Sequence, residues 1–119
     1  MRQVYAHDAS VRMRSADGGD AIGAAVTVAL CGDWQHEPPC PLAPHHTQTE
    51  RTGDQAQVRT IFATEPSLER EVRQRIDHAL ATGSQETPTG EITTWQLLTS
   101  AAGIVQENER DQGNRLISS

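Results

Sequence analysis

The sequence has no lysine; its ten basic residues are all arginine and stand against 16 Asp and Glu, for a net charge of −6. Broad nucleic-acid binding relies on many cationic contacts to phosphates, so this acidic balance argues against a nucleic-acid partner. Arg12, Arg14, Arg70, Arg73 and Arg75 could at most form a local patch, and the last three share one segment with Glu69, Glu71 and Asp77. Long apolar runs are missing as well. Nothing approaches the roughly 18 residues of a membrane span, and "MRQVYAHDAS" lacks the apolar stretch of about 7–15 residues found in a signal peptide. The expectation is a cytoplasmic chain with no membrane partner.

Aromatic residues number four, Tyr5, Trp34, Phe62 and Trp95. Leu, Ile, Val and Phe together make up about 18% of the 119 residues, slightly under the level at which disorder becomes a concern for a highly charged chain. With modest net charge, the composition instead describes one folded domain, residues 1–119, with a thin core. Such cores are commonly reinforced by a metal, a disulfide or oligomerisation. Only two cysteines are present, and in a reducing cytosol two thiols are more often ligands or redox groups than a permanent bridge.

What the chain does have is concentrated in "CGDWQHEPPCPLAPHHT", residues 31–47, which holds both cysteines, three of five histidines and four of six prolines. The spacing is Cys31-x4-His36-x3-Cys40-x4-His45, with His46 adjacent. Two thiolates and two imidazoles form a usual tetrahedral Zn²⁺ set, and two thiolates neutralise the dication. The prolines restrict the unfolded loop, so less entropy is lost when ligands converge. The expected cofactor is one structural Zn²⁺ held by Cys31, His36, Cys40 and His45, with His46 as a spare ligand. A Cys31–Cys40 disulfide, or a metal-free loop, are the competing readings.

Catalytic patterns fit poorly. "HEPPC" begins like the helical zinc-protease motif, but Pro38 and Pro39 would break the helix it needs. Pro39-Cys40 resembles half of a zinc-deaminase signature, yet Ala43 stands where the second Cys belongs. The Asp17–Asp20 stretch lacks calcium-loop spacing, and there is neither a phosphate-binding Gly-rich loop nor a nucleophile elbow. A metalloenzyme or thiol-redox protein using the same residues is therefore the lesser alternative to a binding or regulatory module. A third reading is a metal-free interaction protein, forming a homodimer through an open sheet edge.

Along the chain, "VRMRSADGGDAIGAAVTVALC" reads as a β-hairpin in which Val26, Val28 and Leu30 share one face of the second strand. Residues 31–57 then form a long Pro/Cys/His-rich loop, and "QVRTIFATE" is a third strand. Leu68, Val72, Ile76, Ala79 and Leu80 form the apolar stripe of a helix, with Ser67 as N-cap and Gly83 at its C-terminus. Glu69–Arg73 and Glu71–Arg75 are i,i+4 pairs on its exposed side. "ITTWQLLTS" makes a fourth strand, Trp34 is expected to pack on Trp95, and the polar segment 106–119 either frays or ends in a short helix. The predicted class is α+β: about four mostly antiparallel strands in the order β-β-β-α-β, with one helix on one face.

Overall fold

The computed structural model describes residues 2–13, 19–31, 43–86 and 90–117. Strand β1, Gln3–Arg12, pairs antiparallel with β3, Gln55–Thr64, on one side and with β6, Gln96–Gly103, on the other. Strand β2, His45–Thr52, completes a four-stranded antiparallel sheet in the order β2-β3-β1-β6. Because β1 and β2 both run antiparallel to β3, they are parallel to each other, and helix α1, Gly19–Cys31, links them. Helix α2, Glu69–Thr82, follows β3. This is the ferredoxin-like, split βαβ arrangement. It hosts many unrelated functions, so the fold alone names no activity.

The alternation of β1 sets the layers. Ala9, Val11 and Met13 enter the core with Tyr5 packed beside them, together with Ile22, Val26 and Leu30 of α1 and Val72, Ile76 and Leu80 of α2. The even-numbered residues of β1 lie on the opposite face, where helix α3, Arg110–Ile117, rests against β1 and β3. A Cβ built on Gly113 would come within 2.8 Å of Val4, so glycine is what lets α3 approach so closely. No helix among the described residues is long and apolar enough to cross a membrane.

The α+β class and the four antiparallel strands agree with the sequence reading, whereas several elements differ. Residues 26–31 are the end of a helix rather than a strand. Ile22, Val26 and Leu30 are spaced by four and buried, as are Ala21 and Ala25, and this period outweighs the short Val-Thr-Val alternation. The sheet face is therefore covered by two helices, not one. The first strand begins at Gln3 rather than near Val11.

The expected 31–57 loop takes in the last residue of α1, all of β2 and the start of β3, with β2 closing a hairpin onto β3 through Gly53 at φ 64°; residues 32–42 of it lie outside the described residues. Ser67 falls in a 3-10 turn, Pro66–Leu68, and Leu68 takes the N-cap position of α2 with no side-chain capping bond. "ITTWQLLTS" is divided by Trp95 between β5, Ile92–Thr94, and β6; β5 pairs with β4, Ser84–Glu86, in a separate ribbon. The indole of Trp95 donates to the Leu80 carbonyl at 2.9 Å, and its backbone N–H donates to the Gly83 carbonyl at 2.9 Å.

Gly83 closes α2 at φ 72°, as its position in the sequence implies, and a Cβ there would stand 2.6 Å from the Trp95 carbonyl oxygen. Both the left-handed conformation and the contact penalise a side chain. Gly83→Ala is expected to destabilise the fold by more than about 1 kcal/mol, read as a lower thermal midpoint.

Candidate functional site

The expected metal ligands are only partly placed. Cys31 is the last residue of α1, His45 and His46 open β2, and His36 and Cys40 lie outside the described residues. Successive residues of a strand face opposite ways, so His45 and His46 point to different sides of the sheet. Among the described residues no group of three or more His, Cys, Asp or Glu is arranged to hold a metal ion.

His45 faces α1. Its Nδ1 lies 3.2 Å from the Ala43 carbonyl and its Nε2 lies 2.9 Å from Thr27 Oγ1. A carbonyl can only accept, so Nδ1 carries the proton and Nε2 accepts from the Thr27 hydroxyl. Cys31 comes four residues after Thr27, at the end of α1.

A second cluster is built around His7, which is buried at 3% exposure between β1 and α2. Its Nδ1 lies 3.1 Å from Arg73 Nη1, while its Nε2 lies 3.0 Å from Asp77 Oδ1 and 2.7 Å from Ser100 Oγ. Ser100 also donates to Asp77. Serine, histidine and aspartate are the residue types of a hydrolase triad, but here Asp77 and Ser100 share one ring nitrogen instead of taking opposite ones, and the proton order is wrong as well. Arginine can only donate, so His7 Nδ1 must be the acceptor and Nε2 must bear the hydrogen. The ring nitrogen facing Ser100 therefore has no lone pair with which to take the serine proton. The cluster acts as a brace between β1, α2 and β6.

Arg73 holds the brace from the other side. It donates to the Ala6 carbonyl at 2.8 Å and to Glu69 at 2.8 Å, and its guanidinium lies 5.4 Å from the Phe62 ring centroid and 5.9 Å from that of Tyr5. Both expected i,i+4 pairs of α2 form. Arg73, however, turns toward the sheet rather than outward. Burial pushes the His7 imidazole below its ordinary value; Asp77 acts in the opposite sense, and Arg73 adds to the lowering.

On the opposite face, Arg59 joins three segments. It donates to Asp8 at 2.6 Å and grips Glu109 through two bonds of 2.9 and 2.7 Å, and it also reaches the Ile104 carbonyl. The hydrogen bonds that Arg59 donates to Glu109 raise the Arg59 pKa, and the same pairing lowers that of Glu109. Beside it runs a shallow groove of about 570 Å³ lined by Asp8, Gln48, Glu50, Gln57 and Arg59. Four-stranded RNA-binding sheets present aromatic rings for base stacking. Here Tyr5 and Phe62 stack on each other at 5.5 Å on the helix-covered face.

Compared with models of known families and with curated protein sequences, the chain matches none.

No local motif in the sequence marks the His7 brace. A histidine in register with Tyr5, Ala9 and Val11 was the available signal, since it occupies an inward position of a strand. Its partners come from 66 to 93 residues away and no local pattern announces them.

The pH consequence has a definite sign. With a folded pKa below the unfolded value near 6.5, His7 contributes stability that is complete above about pH 6.5 and is lost as pH falls toward its folded pKa. The denaturant midpoint of the wild-type chain should fall between about pH 7 and pH 5, and His7→Gln should flatten that slope while lowering stability overall by about 1–3 kcal/mol. On the other face, Arg59→Lys cannot reproduce the two-bond grip on Glu109. Amide exchange across residues 107–117 should accelerate while the β1 and β3 amides keep their protection.

Proposed function

We propose that this protein is a non-catalytic binding module in which the connection from α1 to β2 takes one structural Zn²⁺ through Cys31, His36, Cys40 and His45. The observation that carries the reading is the state of His45. A metal-ligating histidine ordinarily donates its distal N–H to a backbone carbonyl, which fixes the tautomer and frees the other nitrogen for the metal. His45 Nδ1 makes that bond with Ala43, and its Nε2 faces α1 one turn before Cys31. Metal binding at Nε2 would replace the hydrogen bond from Thr27. His46, on the far side of the strand, is not part of the set.

The loop chemistry supports the same reading. Two thiolates and two imidazoles match zinc in charge and softness, and four prolines within residues 31–47 stiffen the segment that carries them. The His7 cluster supports a non-catalytic role, because its hydrogen-bond order serves packing rather than proton transfer.

Elemental analysis of protein purified without chelator should give about one Zn²⁺ per chain, and Cys40→Ser should lower both metal content and thermal midpoint. A content below about 0.2 per chain, or an unchanged midpoint in Cys40→Ser, would overturn the reading.

A further inference from the structure

We infer that β6 is a self-association edge, along which a second copy of the chain pairs antiparallel about Ala101 to join two four-stranded sheets into one of eight. Strand β6 is outermost in its sheet, and among the described residues no strand pairs with its outer side. From Gln96 to Val105 it carries no charged residue, in a chain that is 22% charged. Natural edges are commonly protected by charges, prolines or bulges, and between Thr99 and Gly103 β6 has none of these. The opposite edge, β2, has such protection in Glu50 and Arg51.

The one irregularity of β6 sets the register. Ser10 faces Thr99 and Val11 faces Leu97, so Leu98 is the bulged residue and stands outside the ladder to β1. Regular strand then runs from Thr99 to Gly103, and Ala101 is its midpoint. Of the large apolar side chains exposed on the described surface, two sit just beyond the ends of this segment, Leu98 at 36% and Ile104 at 78% exposure. They are equidistant from Ala101. A two-fold axis at that residue places Leu98 of each copy opposite Ile104 of the other, with Thr99 opposite Gly103 and Ser100 opposite Ala102.

The occupant is a copy of this chain because the pattern complements itself. Each exposed apolar residue finds an apolar partner under one symmetry operation, as an isologous interface requires. Two chains of charge −6 repel, and a charge-free edge is where their approach costs least. Arg59 also holds the Ile104 carbonyl, which keeps the far end of the segment in place. The inference does not depend on whether the loop binds metal.

Sedimentation equilibrium on the full chain at micromolar concentration tests it. The wild-type protein should be dimeric. Ala101→Lys and Ala101→Glu, at an exposed position on the axis, should each raise the dimer dissociation constant more than about 100-fold, because two like charges then face each other. Circular dichroism should show both variants folded. Mixed in equal amounts, they should recover a dimer, since unlike charges then meet. A monomeric wild-type protein, a dimer that survives Ala101→Lys, or a mixture that stays monomeric would each overturn the inference.

Discussion

Strand β1 lies between two antiparallel partners, and its period of two determines what every other element can meet. Tyr5, His7, Ala9 and Val11 are turned toward α1 and α2, while Val4, Asp8 and Ser10 face the other way. A slip of one residue would exchange these sets, putting Asp8 into the core and Val11 into solvent. The ladders on both sides make such a slip costly, because ten pairs with β3 and seven with β6 would have to be remade together.

The two faces solve different problems with the same kind of device, an arginine that bonds to several segments at once. On the helix side, Arg73 ties α2 to the Ala6 carbonyl and to His7, under the rings of Tyr5 and Phe62. On the other side, Arg59 ties β1, β3 and the start of α3 together through Asp8 and Glu109. Guanidinium suits both places, since it is planar, remains charged and donates in several directions. In a protein with few large apolar side chains, these polar ties extend cohesion beyond the core. They also account for part of what the all-arginine composition does structurally.

The two ends of the α1–β2 connection and the β6 edge lie at different places in the fold. Cys31 ends α1 and His45, bonded to Thr27, opens edge strand β2, whereas β6 is the opposite edge of the same sheet.

The sequence by itself determined the α+β class, the buried stripe Val72, Ile76 and Leu80 of α2, and the glycine that ends that helix. These are legible because they are local, resting on a side-chain period or a positive φ along a few residues. It did not determine α1, where an apolar stretch free of charge satisfies the period of a strand over three residues and that of a helix over nine. Only tertiary structure chose between them, because the sheet face that α2 leaves bare needs a second apolar cover. The His7 brace and the Arg59 clasp were likewise decided by the fold. Each depends on register between strands far apart in the chain, and the identities of neighbouring residues carry no information about that register.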